Sequence, residues 1–399
     1  MRFFAAALAV LALAACQDPA GVGLGLIDEE QLDPNVRSIA LDGLATFNDS
    51  TVAIGIADPS NQTLAQPRVL AGSVADPVFG DARAVAYVDF LQNSDVEAAD
   101  PADVTEVWLE LRRSYAYGDT TTALPLELRQ IQGADTWEAD RDYPPDTLLA
   151  VGDVLSTTAV VAADSLRRFD LPAEWVSANA ATLISGTFGD DFEGFALQVP
   201  ADYQAAPGVV FGFDTYLSQG SGLRLVVAGD TVVFSLSEVF SSVTTAPPGA
   251  SEVLPSRATS RAGVTFTASL ADVGTTALAR ARLRLPILAG LAEEGAFVRP
   301  IAPVSFLFGV RGEGDARVRD FLGTVLYEEG ADELTVNETN ALTAAVQAAL
   351  LDPAAAGYDR YEVVVNPATA SLDILPVLVP DSPDTVQPRL TLTLVGGGQ

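Results

Sequence analysis

Short apolar runs in which every second residue is polar constrain this chain more than any other feature of it. In residues 106–112, Val107, Leu109 and Leu111 alternate with Glu106, Trp108, Glu110 and Arg112; in residues 280–285, Ala281, Leu283 and Leu285 alternate with Arg280, Arg282 and Arg284. A β-strand points successive side chains to opposite faces, so a period of two predicts half-buried strands with one face on a core and the other on water. Further runs rich in Val, Leu, Phe and Thr, at 83–90, 126–131, 195–199, 209–213, 223–227, 264–270, 304–310, 361–365 and 390–394, are broken by Gly, Pro, Asp and Ser, the punctuation of antiparallel strands. Helical periodicity is convincing only at 172–183 and 338–351, the second opening near Asn337 or Asn340 as cap and built on Ala341, Ala344, Ala345 and Leu350. The expected fold class is all-β: two tandem antiparallel β-sandwiches of jelly-roll type with one short helix each.

The two halves run in the same order: alternating strand, second strand, helix, strand, Pro- or Gly-rich crossing, closing strand. Helices at 172 and 338, strands at 195 and 361 and closing strands at 223 and 390 keep a nearly constant spacing, which points to an internal duplication. Between the halves, residues 241–261 hold Pro247, Pro248 and Pro255 among many Ser and Thr and read as a linker. The expected division is 1–15 signal peptide, 16–45 lipidated tether, 46–240 first sandwich, 241–261 linker and 262–399 second sandwich.

The N-terminus sets location. Met1, Arg2, Phe3 and Phe4 precede an apolar run that ends in Leu13, Ala14, Ala15 and Cys16, the layout of a bacterial lipobox. The run is too short to cross a hydrocarbon core of roughly 30 Å as a helix, which needs about 20 apolar residues. Cleavage before Cys16 and acylation of its thiol are therefore expected, and the chain's single cysteine stands at the one position the lipobox requires. The membrane partner is then the lipid on Cys16, and Gln17 in the next place favours the outer membrane, on its periplasmic or its cell-surface face. A single cysteine also excludes an intramolecular disulfide, so burial alone must hold the fold. Residues 17–45, with Gly21, Gly23, Gly25, Asp28, Glu29 and Glu30, read as the tether.

Charge and composition exclude several functions. The chain has 53 acidic residues against 22 basic ones, all arginine, with no histidine and a net charge of −31. Such a surface repels nucleic-acid phosphates and suits a salty, halophilic habitat in which counterions screen it. Without His or Lys the chain cannot build a Ser-His-Asp triad, a Ser-Lys dyad, an imidazole zinc site or a Schiff base, so no enzyme activity, metal or cofactor is expected. A glycosidase-like carboxylate pair is the chemistry left open. Two acidic clusters offer oxygen ligands without calcium-loop spacing: Asp190, Asp191 and Glu193, and Glu138, Asp140 and Asp142. Aromatic residues fall in connections of the first half, namely Trp137, Tyr143, Trp175, Tyr203 and Tyr216. Trp137 and Tyr143, flanked by Asp140 and Asp142, form the candidate seat for a polysaccharide, rings to stack on sugar faces and carboxylates to accept from hydroxyls. The competing reading is that such rings plug the ends of a sandwich and that the partner is another envelope protein.

One set of motifs carries a family likeness. Leu70 to Phe79 reads Leu-Ala-Gly-Ser-Val-Ala-Asp-Pro-Val-Phe and is followed by Gly80; Val104 to Leu111 reads Val-Thr-Glu-Val-Trp-Leu-Glu-Leu; Tyr117, Gly118, Asp119 and Thr120 follow. Together these resemble an uncharacterised lipoprotein family of Bacteroidetes-type bacteria, domain of unknown function 4270. In that family a Gly-x-x-x-Asp-Pro-x-Phe-Gly segment precedes a Val-x-x-Val-x-Leu-x-Leu strand and a Tyr-Gly-Asp turn behind a lipobox. The similarity continues through 192–197, 222–226 and 279–286, with 76–80 its most specific element. The resemblance implies an outer-membrane or surface lipoprotein of unassigned activity, so no catalytic residue is carried over. Taken with the missing catalytic chemistry, the expected role is a non-catalytic binding or structural module at the envelope.

Overall fold

The computed structural model describes residues 35–49, 54–55, 68–96, 99–133, 142–143, 146–215, 220–246, 253–254, 261–274, 277–287, 291, 293–336, 340–365, 371–378 and 387–395. Its strands are β1 (Val36–Asp49), β2 (Arg68–Asp76), β3 (Gly80–Leu91), β4 (Val104–Asp119), β5 (Leu124–Ile131), β6 (Val151–Val160), β7 (Leu166–Asp170), β8 (Phe195–Gln198), β9 (Gly208–Asp214), β10 (Gly222–Val227) and β11 (Asp230–Thr245). They continue with β12 (Arg261–Ala268), β13 (Leu278–Pro286), β14 (Val304–Arg311), β15 (Val318–Leu326), β16 (Glu333–Val336), β17 (Arg360–Val365) and β18 (Arg389–Leu394). The helices are α1 (Ala173–Leu183), α2 (Phe188–Asp191), α3 (Asn340–Leu351) and α4 (Pro353–Ala356). The protein is all-β with few helices, and its labelled ladders are antiparallel.

The period of two does what it predicts. Val107, Leu109 and Leu111 of β4 enter the first core, and Ala281, Leu283 and Leu285 of β13 enter the second. On the outer face of β4, Trp108 lies under the guanidinium of Arg168, 3.9 Å from its ring centroid, and Arg224 pairs with Glu110 at 2.7 Å. Each helix packs on its alternating strand, α1 on β4 and α3 on β13. The buried stripe of α3 is Leu342, Val346, Ala349 and Leu350, so of the expected apolar set only Leu350 is fully inside.

In the second unit the sheet closes into an eight-stranded barrel with the order β1, β12, β17, β14, β15, β16, β13, β18 and back to β1. The sandwich-like sheet expected here is thus closed into a ring. Apolar side chains pack the interior, where a gap of about 10 Å³ lies among Leu41, Phe266, Leu283, Leu307, Leu342 and Leu390. Helix α3 covers the edge of β13 beyond β16, where the backbone N–H groups of Leu278 and Ala281 donate to Gln347 Oε1 and Thr343 Oγ1. The first unit repeats this order as β11, β3, β8, β5, β6, then β7, β4, β10 and back to β11, with no ladder described between β6 and β7. Strands β2 and β9 are additions, pairing with each other and with the ends of β3 and β4.

Two expected boundaries move. Residues 36–45, expected as tether, are part of β1, which bonds β18 through residues 36–40 and β12 through residues 41–49. Asp42 and Gly43 interrupt the pattern of a strand whose partners stand more than 200 residues away. Residues 241–245, expected as linker, are the end of β11: Ser241 and Ser242 are buried beside β3, and Ser241 Oγ accepts from the Leu70 N–H. Hydroxyl-rich composition there reflects small side chains at a close approach.

Candidate functional site

The motif segments meet between the two units. Asp76 ends β2, and its Oδ1 accepts from the N–H groups of Val78 at 2.8 Å and Phe79 at 3.2 Å, closing the Asp-Pro-Val-Phe-Gly turn in which Gly80 has a φ of +79°. Its Oδ2 accepts from the Tyr117 hydroxyl and from Arg299 Nε at 2.9 Å. Arg299 also donates to the Leu291 carbonyl at 3.2 Å and lies over the Phe297 ring. Both charged side chains are buried, at 2% and 1% exposure, where an ion pair persists only if further hydrogen bonds complete it. Burial raises the Asp76 carboxyl, but Arg299, Tyr117 and the Val78 N–H outweigh it and hold the pKa below the usual carboxylate value. Gly118, between Tyr117 and Asp119, has a φ of +110°, and a Cβ there would meet the Gly208 carbonyl at 2.5 Å.

Around this node lies a shared core: Leu70, Val74, Phe79, Tyr115, Tyr117, Val210 and Val243 from the first unit against Leu291, Phe297, Leu372 and Ile374 from the second. Residues Phe297–Val298 extend β4 by pairing with Gly118 and Asp119, and the Tyr115 hydroxyl accepts from the Leu372 N–H at 3.0 Å. Nothing periodic around Arg299 marked it in advance; a lone arginine in an apolar Phe-Val-Arg-Pro segment was the available signal.

A second feature is an open cleft of about 510 Å³ at one mouth of the barrel, lined by Ala268, Leu270, Leu350, Leu351, Pro353, Gly357, Tyr358 and Tyr361 among others. Tyr361 is stacked on Phe266 and meets Tyr358 edge to face, and burial pushes its phenol up to about 12. Gly309 sits under the Tyr358 ring, where a Cβ would lie 2.6 Å from the ring. The Tyr358 hydroxyl donates to Asp320 Oδ2, which also binds Arg311. Elsewhere in this unit Arg317, Arg319 and Arg360 share the carboxylate of Glu362.

Of the residues singled out in the sequence, Cys16, Trp137 and Asp140 lie outside the described residues, as do Glu138 and Tyr216. Asp142 and Tyr143 form a two-residue bridge with Ile54–Gly55. Trp175 is a core residue whose Nε1 donates to Gln130 Oε1, and Tyr203 packs against the same core. Asp190 and Asp191 are exposed in α2, with Asp191 accepting from the Thr187 hydroxyl. Among the described residues no cluster of three acids could hold a metal ion. Asp89, on β3 beside Glu193 and Glu238, is the most displaced carboxyl: burial, then repulsion from those two acids, pushes it up to about 7. Comparison with family models, curated proteins and solved structures finds no match.

Proposed function

We propose that this chain is a non-catalytic lipoprotein of the outer membrane, held by a lipid on Cys16, that acts as a rigid two-unit structural module carrying an envelope partner. The supporting observation is the buried Asp76–Arg299–Tyr117 node in a core shared by both units, because a module that transmits position needs its halves fixed to each other. Two of the segments that carry the resemblance to the lipoprotein family of unknown function, 76–80, its most specific element, and 117–119, are the ones that build the node. The competing glycan reading through Trp137, Tyr143, Asp140 and Asp142 rests on sequence pattern.

The test has two arms. Metabolic labelling with a radioactive fatty acid should mark the wild-type chain and leave Cys16→Ser unlabelled and outside the membrane fraction. Cross-linking in native membranes should then give one discrete adduct for the wild type that disappears for a folded Arg299→Met variant. Retention on immobilised polysaccharide, lost in Trp137→Ala with no discrete adduct, would replace the scaffold reading with the glycan one.

A further inference from the structure

Tyr361 carries a polar atom that the chain itself leaves without use. It is the second residue of β17, paired with Phe266 of β12 and Gly309 of β14, and it is 5% exposed in the core of the second unit. Burial and the neighbouring Tyr358 act on its phenol, and among the described residues no hydrogen bond reaches that hydroxyl. A buried tyrosine ordinarily finds a partner for its O–H, because an unpaired donor gives up its hydration without return. The oxygen is not sealed in: Tyr361 lines the cleft of about 510 Å³ at the barrel mouth as well as the small gap inside the barrel. The rest of the cleft is apolar. Ala268, two residues beyond Phe266 on β12, puts only a methyl at the mouth, and Leu270, Leu350, Leu351 and Pro353 supply aliphatic walls. Leu351, which ends α3, leaves 64% of its surface exposed there. Among the described residues none that lines the cleft is charged, while Asp272, Asp352 and Asp359, each next in the chain to a lining residue, are exposed.

We propose that the cleft binds an uncharged single-chain lipid whose one oxygen function, an alcohol or an ester, accepts from the Tyr361 hydroxyl while its alkyl chain lies against Leu270, Leu350 and Leu351. Three observations select that chemistry. The first is size: about 510 Å³ lies within the roughly 300–1,000 Å³ of small-molecule sites, and the mouth of a β-barrel is one of the places where such sites form. The second is the donor: a phenol pushed up to about 12 keeps its proton at neutral pH, so the atom that complements it is an oxygen acceptor and not an ammonium group. The third is charge: an uncharged lining, exposed aspartates next to it in the chain and a net charge of −31 give a carboxylate nothing to pair with and much to repel it. A fatty-acid anion is thereby disfavoured where its alcohol fits. Neither the anchor at Cys16 nor the Asp76 node takes part in this site, which adds a ligand to the structural role.

The test uses the full chain after residue 15 with Cys16→Ser and prodan, a neutral naphthyl ketone whose fluorescence reports an apolar site and whose carbonyl accepts hydrogen bonds. The parent should bind prodan saturably. Decanol should displace it, and decanoate at pH 8 should bind at least tenfold more weakly than decanol. Tyr361→Phe deletes the oxygen and keeps the ring on Phe266, so the melting temperature should hold. The dissociation constant of decanol, corrected for that of the probe, should rise about fivefold in this variant, the worth of one hydrogen bond, and that of decane should not change. Leu351→Asp puts a charge at the exposed lip and should abolish probe binding. No saturable binding by the parent overturns the proposal, as do equal decanol affinities in parent and Tyr361→Phe, decanoate competing as well as decanol, or binding that survives Leu351→Asp. If Tyr361→Phe unfolds, the ratio of decanol to decanoate and the Leu351→Asp result decide alone. Failure here leaves labelling at Cys16 and the cross-linked adduct untouched, so the two readings fall separately.

Discussion

Replacing Arg299 by Met tests whether the two units are one body. The substitution keeps most of the apolar stem against Phe297 and removes the guanidinium that bonds Asp76 Oδ2 and the Leu291 carbonyl. Breaking a buried pair by removing one partner costs about 3–5 kcal/mol, because a charge is left without its counter-ion in low dielectric. Asp76 keeps three donors, the Val78 and Phe79 N–H groups and the Tyr117 hydroxyl, so the lower end, about 3 kcal/mol, is expected. At about 2–4 °C per kcal/mol this lowers the melting temperature by about 6–12 °C. Asp76→Asn, which retains the turn's acceptor, should cost a similar amount by stranding Arg299. The double variant should cost less than the sum of the two, with a coupling of about 2 kcal/mol in a double-mutant cycle read by urea denaturation. Because the folded-state pKa of Asp76 is lowered, its charge contributes stability that is present at neutral pH and is lost as pH falls below the ordinary carboxylate range, so the cost of Arg299→Met should shrink in acid. A cost under about 1 kcal/mol at pH 7, or strict additivity, would refute the claim that this node joins the units.

Four further outcomes follow from the same structure. Asp89, pushed up to about 7 from 3.8, opposes folding as pH rises between those values, by as much as about 4 kcal/mol at 1.36 kcal/mol per unit; Asp89→Asn should therefore stabilise the protein at pH 8 and leave it unchanged at pH 3, as read by thermal melts at both. Gly309→Ala drives a methyl into the Tyr358 ring and should cost about 1–3 kcal/mol, together with the Tyr358–Asp320 hydrogen bond; an unchanged melt would show that the ring yields freely. Deleting residues 36–49 opens the barrel, and hydrogen exchange should lose protection in β12 to β18 while β3 to β11, none of which pairs with β1, keep it. Raising NaCl from 0.1 to 1 M shortens the Debye length from about 10 to about 3 Å and should raise the melting temperature, because 53 carboxylates repel one another against 22 guanidinium groups; a flat response would contradict this.

What the sequence reveals and what it hides divides on a physical line. Alternation is a local signal, so β4 and β13, which carry it most cleanly, could be placed on a core with the correct face inward, and so could the helices packed on them. The constant spacing of helix, strand and closing strand was likewise legible, and it corresponds to ladders that repeat from one unit to the other. Closure is not local. Whether a last strand bonds the first is decided by partners distant in the chain, and no pattern within residues 36–49 names 261–268 or 389–394 as neighbours. The Asp76 node was half legible: its turn chemistry and the Tyr-Gly-Asp segment stood out as motifs, while the arginine that completes it comes from more than 200 residues away. The cleft was not legible because its lining joins residues 268–274 to residues 349–361, segments about 80 residues apart that meet only once the barrel forms.

The closing strands explain why the chain is not a simple tandem. In the first unit β11 bonds β10 with its first residues and β3 with its last, and its register shifts between Leu236 and Val239. In the second, β1 bonds β18 with its first residues and β12 with its last, and its register shifts between Asp42 and Ala45. The two strands do the same work with the same break, but β11 follows its partners in the chain and β1 precedes its own by the whole first unit. The two units thus share one strand order in circularly permuted form, the second unit's closing strand standing at the front of the chain. Loop-closure entropy grows only as (3/2)RT ln n, so spanning more than 200 residues from Asp49 to Arg261 instead of the short turn from Val227 to Asp230 costs about 4 kcal/mol, which a strand bonded along both edges offsets. What the permutation changes is connection: a pull on the N-terminus, from a membrane anchor if Cys16 carries one, reaches the C-terminal barrel first, through the ladder of residues 36–40 with 389–393. The first unit shares with that barrel the core around Asp76 and Arg299, so the buried pair stands between the pulled strand and the first unit.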